Sequence, residues 1–271
     1  MTLTMAFGHS EEPPQAPASA PPTGADGSPP LPADGSGDAD DFSQPILPGR
    51  GASDYERYLR TDELLELQKR PEEMVHRDEL LFQTVHQSSE LWLKLAANEV
   101  TDAVASLRSG GVAAALRLLR RASLCLQFIT QQLDMLEQMS PWEYQEIRRV
   151  LGHGSGFDSP GFRQIRHISP ALAQEFHRLL REQGLDVVSV YTRGREFEEL
   201  YGLAEALTEW DERVTTWRIR HYKVVARIIG DAVVGTQGTP VEVLGRLIHR
   251  NFYPELWEAR NKLTALAKES D

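Results

Sequence analysis

Residues 51–271 are predicted to form an all-α fold, and three observations predict it. Apolar residues recur at three- and four-residue steps over long stretches. Ser-Pro and Thr-Pro pairs repeatedly precede such stretches, as helix starts do. The single strand-like run, "VVSVY" at 187–191, has no second run with which to make a sheet.

Taken in order, helices are expected over 61–69, 72–108, 113–139, 141–151, 170–183, 195–230, 240–250 and 254–268. Gly110 and Gly111 separate the two long central helices. "SPWE" at 140–143 offers Ser140 as N-cap, Pro141 at the first helical position and Glu143 to close a capping box. "SP" at 169–170 and "TPVE" at 239–242 repeat the device, and "GHGSGFDSPG" at 152–161 reads as a loop. Two long helices together with 195–230 suggest a bundle.

Residues 1–50 differ from the rest. They hold ten of the sixteen prolines, seven acids and one basic residue, Arg50, with few large apolar side chains. Such a stretch cannot bury enough surface to offset the entropy of ordering, and is expected to be a disordered acidic tail. It has neither the charged and apolar regions of a signal peptide nor the Arg-rich character of a mitochondrial presequence. The formal charge of −11 divides into −6 for the tail and −5 for the body. An acidic body without a long basic run argues against nucleic acid as partner. No run of eighteen apolar residues exists to span a membrane, and a cytoplasmic location is expected. Cys125, the one cysteine, sits in an apolar helical pattern and reads as a buried thiol rather than a nucleophile.

The histidines raise the question of chemistry. In "LLFQTVHQSSELWLKL" at 80–95, Phe82, His86, Ser89 and Leu93 share one helical stripe, which places an imidazole on an expected inner face. In "VTTWRIRHYKVVARIIG" at 214–230, Val214, Trp217, His221, Val224 and Ile228 form another, with Arg218 and Arg220 beside it. A di-metal carboxylate site needs two Glu-x-x-His motifs, and only Glu73 to His76 matches, so that reading is set aside. A haem needs an axial ligand, apolar walls and cationic groups near its propionates, all of which the second stripe offers. On pattern alone, a histidine that simply packs in the core looks the same.

Four ordered blocks add a resemblance. "DELLFQTVHQSSELWLKL", "PWEYQEIRRVLGHGSGF", "WRIRHYKVVARIIG" and "FYPELWEAR" together resemble the tryptophan 2,3-dioxygenase family of haem enzymes, over about residues 51–268. The most specific parts are the His-Gln-x-x-Glu-Leu-Trp run at 86–92 and the Tyr-x-x-x-Arg at 144–148 with its Ser-Gly-Phe loop. The resemblance implies a helical bundle of that type with haem b between core helices, its iron active in the ferrous state, and O2 as co-substrate. His221 would be the axial ligand, with Trp217, Ser155 and Gly156 beside the haem. His86 would lie on the other face and, as a neutral ring, accept the indole N–H. Phe82, Tyr144 and Leu151 would line the indole pocket. Arg148 would bind the substrate carboxylate as a two-pronged donor, and Thr236 the ammonium or carboxylate. "DYERYLR" matches a segment that reaches a neighbouring subunit in this family, so Tyr55, Tyr58 and Leu59 would cover the indole in trans, within a homotetramer.

Three departures bear on the reaction. The family's Gly-Thr-Gly-Gly-Ser loop is here "GTQGTP" at 235–240, so that Gln237 replaces a glycine and is expected to meet a conformational cost. Asp158 stands where the family has Gln, and the stretch between Ile168 and Arg195 is shorter than usual. The reading is an oxygenase acting on the indole C2–C3 bond of L-tryptophan or a substituted L-tryptophan. If both oxygen atoms stay with the indole, that bond breaks and N-formylkynurenine results. If one is delivered, the ring survives as a 2-oxindole, and an external reductant supplies two electrons to release the other as water; β-methyltryptophan is a candidate substrate for that outcome. A haem-binding sensor or carrier without turnover is the alternative of another class.

Overall fold

A computed structural model describes residues 44–269. The expected tail over 1–50 therefore lies mostly outside the described residues. The described residues divide into two compact units, with the boundary between Leu59 and Arg60. In the first, Asp54 opens helix α1 (Asp54–Leu59) and its carboxylate accepts the backbone N–H groups of Ile46 at 3.1 Å and Leu47 at 2.7 Å. Arg57 folds back to donate to the carbonyls of Gly51 at 2.8 Å and Leu47 at 2.6 Å.

The second unit is helical, as expected. Its elements are α2 (Thr61–Leu65), α3 (Asp78–Arg108), α4 (Val112–Leu136), α5 (Pro141–Val150), α6 (Pro160–Glu182), α7 (Val187–Thr192), α8 (Glu198–Ile229), α9 (Glu242–Leu247) and α10 (Pro254–Glu269). Short 3₁₀ turns lie at Pro71–Glu73 and Gly156–Asp158. Among the described residues there is no strand, only an isolated bridge between Val234 and Pro240. None of the described helices is long and apolar enough to cross a membrane. Helix α4 packs on α3 and α8, and α6 packs on α3. Gly110, in the left-handed region at φ 81°, ends α3 and allows the chain to turn into α4.

Several boundaries differ from expectation. "VVSVY" is helix, not strand. Asp186 caps it by accepting the N–H of Ser189 at 2.7 Å, and Val190 is fully buried in the core, so capping and packing override the β-branched composition. Ser169-Pro170 opens no helix. Helix α6 starts ten residues earlier, at Ser159-Pro160, where Ser159 accepts the N–H of Phe162 at 3.1 Å. Ile165, Ser169, Leu172 and Phe176 form one buried stripe across Pro170, which holds the helix together there. Thr239 is not an N-cap: α9 starts at Glu242 without a side-chain cap. Helix 72–108 begins at Asp78, after the 3₁₀ turn.

Two carboxylates, one at the cavity wall and one fully buried, tie the unit together. Glu90 on α3 accepts Ser159 Oγ–H at 2.5 Å and the N–H of Gly161 at 2.9 Å, which satisfies donors at the start of α6. The helices meet closely at that point: a Cβ on Gly161 would come within 2.5 Å of Leu93 Cβ. Asp211 on α8, fully buried, accepts the N–H groups of Phe252 at 2.9 Å and Tyr253 at 3.3 Å, and Trp257 Nε1–H at 2.9 Å. Tyr253 and Trp210 donate in turn to the carbonyl and hydroxyl oxygens of Ser169, both at 3.1 Å.

Replacing Asp211 by Ala leaves three donors without their carboxylate. Since a hydrogen bond to a charged group contributes about 1.5–3 kcal/mol, the variant is expected to lose about 3 kcal/mol or more of stability. Urea denaturation followed by circular dichroism measures this; an unchanged midpoint would remove Asp211 from this role.

Candidate active site

Three helices of the second unit each turn one stripe toward a shared cavity of about 770 Å³. Helix α3 contributes Phe82, His86 and Glu90 at four-residue steps; α5 contributes Tyr144, Arg148 and the adjoining Leu151; α8 contributes Val214, Trp217, His221, Val224 and Ile228. These spacings are those of a single helix face. The Gly154–Pro160 segment and the 235–241 loop complete the wall, bringing in Ser155, Gly156 and Thr236. The predicted site residues of this unit thus meet in one place. Tyr55, Tyr58 and Leu59 belong to the first unit, on α1, where the tyrosines are 69% and 78% exposed and Leu59 is also exposed.

The two imidazoles are held differently. His86 Nδ1 lies 2.7 Å from the carbonyl oxygen of Phe82. A carbonyl can only accept, so Nδ1 carries the proton and Nε2 of the neutral ring keeps its lone pair. The ring opens onto the cavity, but protein surrounds it otherwise, and this burial lowers its pKa, with Glu90 and the Phe82 carbonyl acting in the opposite sense. Phe82 packs against it at a ring separation of 4.0 Å.

His221 is stacked on Trp217, with ring centroids 4.7 Å apart and planes 9° apart; Trp217 in turn meets Phe162 at 3.9 Å. Burial, then repulsion from His86, lowers the His221 pKa to about 4, so the ring is neutral near pH 7. Gly156 lies beside it: a Cβ built there would be 3.9 Å from His221 Cε1. Burial also raises the Tyr144 pKa, against the opposing charge of Arg148.

Arg148 donates to the carbonyl of Val234 at 2.6 Å, and Thr236 Oγ1–H donates to the carbonyl of Gly154. Gln237 carries no strain, contrary to expectation. Gly238, at φ 73°, takes the left-handed conformation, and Gln237 Nε2–H donates to Asp158 Oδ2 at 2.6 Å.

Two lining arginines, Arg166 and Arg250, had gone unrecognised from sequence and join Arg218. The three lie close enough that Arg166 and Arg250 lower the pKa of Arg218, after burial as the main cause. Arg218 also covers the Phe252 ring at 5.4 Å. Arg166 and Arg250 lie in no motif that marks them. Glu90 could have been found, since it stands one turn beyond His86 in the same stripe. Arg220, paired with Arg218 in the sequence reading, points elsewhere, to Asp134 and Glu137 at 2.6 Å each.

The site is suited to a flat, largely apolar group that bears carboxylates and has one position for an imidazole nitrogen. Val214, Trp217, Val224 and Ile228 supply apolar surface, His221 supplies a neutral imidazole without a hydrogen bond among the described residues, and three guanidinium groups supply positive charge. Its other end, at Arg148 and Thr236, has donors for a small polar molecule.

A family model described as tryptophan 2,3-dioxygenase matches residues 44–170. Similar curated proteins include the tryptophan 2,3-dioxygenase of Bacillus thuringiensis (strain Al Hakam), 33% identical over 260 residues, covering 77% of this chain and 92% of that protein. That of Shewanella woodyi is 32% identical, covering 77% and 90%, and that of Caulobacter vibrioides 33%, covering 77% and 98%.

The histidine burial predicts a pH dependence of the ligand-free protein. His221 binds its proton near pH 6.5 when unfolded and near pH 4 when folded. Between these values the unfolded state holds more protons, so stability is expected to fall as pH drops from about 6.5 toward about 4. This contribution is constant above that window. Unfolding midpoints measured against pH should show a shallower acid limb in His221→Gln than in the parent; identical limbs would contradict it.

Proposed function

The chain belongs to the tryptophan 2,3-dioxygenase family, and on that premise we propose that it is a haem-dependent oxygenase acting on the indole C2–C3 bond of L-tryptophan or a substituted L-tryptophan, with N-formylkynurenine as product. The observation that carries this reading is the convergence of two neutral imidazoles, His86 and His221, on one cavity whose rim bears Arg148 and Thr236.

His221 would hold the haem iron, a role supported by its neutral ring, which makes no hydrogen bond among the described residues. Trp217 would support that ring from the side, and Gly156 would leave room beside it. Arg166, Arg218 and Arg250 would face the propionates, a role suited to guanidinium. Haem supplies, when bound, the iron redox centre through which O2 becomes reactive toward indole.

The chain's own residues would orient the amino acid. Arg148 would take the carboxylate through two parallel N–H bonds and Thr236 the ammonium or carboxylate. His86 Nε2 would accept the indole N–H and thereby fix which ring edge faces the reacting oxygen, while Phe82, Tyr144 and Leu151 pack the ring and exclude water. Tyr55, Tyr58 and Leu59 would cover the indole of a neighbouring subunit in a homotetramer; their exposure on α1 is what that reading requires. A cytoplasmic location, and a division between an acidic tail over 1–50 and an oxygenase domain over 51–271, complete the proposal.

The reading is tested by single turnover of ferrous, haem-loaded protein with L-tryptophan under ¹⁸O₂, followed by mass spectrometry. Two labelled oxygens in N-formylkynurenine are expected. One labelled oxygen on an intact 2-oxindole would make the protein a monooxygenase, and a haem spectrum unmoved by tryptophan would favour a carrier or sensor. His221→Ala is expected to lose haem or hold it weakly in a haem titration; full occupancy with unchanged spectra would refute the ligand assignment. Arg148→Ala is expected to raise KM about 10- to 100-fold, since each lost charge-assisted bond costs about 1.5–3 kcal/mol. An unchanged KM would count against the carboxylate role.

A further inference from the structure

Two departures from the family pattern, Asp158 and Gln237, lie 79 positions apart in sequence and meet in one hydrogen bond of 2.6 Å at the cavity rim. The loop that carries Gln237 is a tight turn. Gly235 N–H donates to the Thr239 carbonyl at 2.9 Å, Gly238 N–H to that of Gly235 at 3.0 Å, and Val241 N–H to that of Val233 at 3.1 Å. Asp158 is itself fixed, because its carboxylate accepts the Ser155 N–H at 3.2 Å and its own N–H donates to the Ser155 carbonyl at 2.8 Å.

Three side-chain ties hold this loop down: Arg148 to Val234, Thr236 to Gly154, and Gln237 to Asp158. The first two occupy donors that the proposed substrate needs for its carboxylate and ammonium. The third occupies none of them. We propose that Gln237 and Asp158 are a positioning pair, whose bond keeps the 233–241 loop over the amino-acid end of the cavity while Arg148 and Thr236 exchange their protein partners for substrate.

This rests on the amino-acid substrate proposed above, and it differs from a lid ordered only by substrate. The loop is held in place beforehand, so less ordering entropy is lost on binding. It also makes the two departures a compensating pair: a glycine at 237 would have no side chain to reach Asp158, and Asp158 would lose this partner.

Backbone hydrogen exchange over the loop, measured on full-length, haem-loaded protein without substrate, tests the pair directly. Gln237→Gly and Asp158→Ala are each expected to speed exchange of the Gly235, Gly238 and Val241 amides by about tenfold, and the double variant no more than either single one. Asp158→Asn, whose amide oxygen can still accept, should keep most of the protection. In turnover of L-tryptophan, Gln237→Gly should raise KM more than it lowers kcat. Unchanged exchange in Gln237→Gly, or additive effects in the double variant, would overturn the proposal. Coupled exchange effects in a protein that does not turn over L-tryptophan would leave the pair standing and remove the substrate reading instead.

Discussion

A carboxylate without water around it, Asp211, fixes the arrangement on which the cavity depends. Burying a charge is unfavourable unless donors surround it, and this one takes two backbone N–H groups and an indole N–H from residues 252–257. The segment leading into α10 is therefore held to the middle of α8, three turns before His221 on the same helix. Tyr253 and Trp210 extend the constraint to Ser169, and so to α6. At the other end of α6, Glu90 binds the first turn from one step beyond His86. The helix bearing one imidazole is thus fixed to α6 through Glu90 and the helix bearing the other through Trp210 and the Asp211 network, and the space between them follows from that.

Much of this was legible in the sequence, for a physical reason. Helical period is a property of consecutive residues, so the stripes through His86 and His221 could be read locally, whereas Tyr144 and Arg148, four apart on a short helix, entered only through the family resemblance. What could not be read locally was wrong or missing. Two Ser-Pro pairs offer the same start signal, and only the packing of Ile165 and the reach of Glu90 favour the first. The β-branched run at 187–191 follows its Asp186 cap and its place against α8 and α10 rather than its composition. Arg166 and Arg250 come to the cavity through tertiary structure alone, from positions that carry no pattern.

The family resemblance contributed in a different way. It drew Phe82, Tyr144, Thr236 and Gly156 into one hypothesis before any geometry was known, and the fold brings them to one cavity. It also marked Gln237 as an anomaly. The expected cost was assigned to φ, yet the turn places its left-handed residue one position later, at Gly238, and leaves Gln237 free to use its side chain.

The Phe82–His86 hydrogen bond has a consequence for selectivity. With its proton committed to a backbone carbonyl one turn away, the neutral ring of His86 presents an acceptor to its surroundings and no donor. Under the proposed function, a bicyclic guest with an N–H edge would find its partner there. A benzofuran or benzothiophene would set lone pair against lone pair, and an N-methylated ring would set a methyl group against it. The helix backbone, by accepting one hydrogen bond, gives the cavity a polarity that shape alone could not supply, and by it isosteres that differ in a single atom would be sorted.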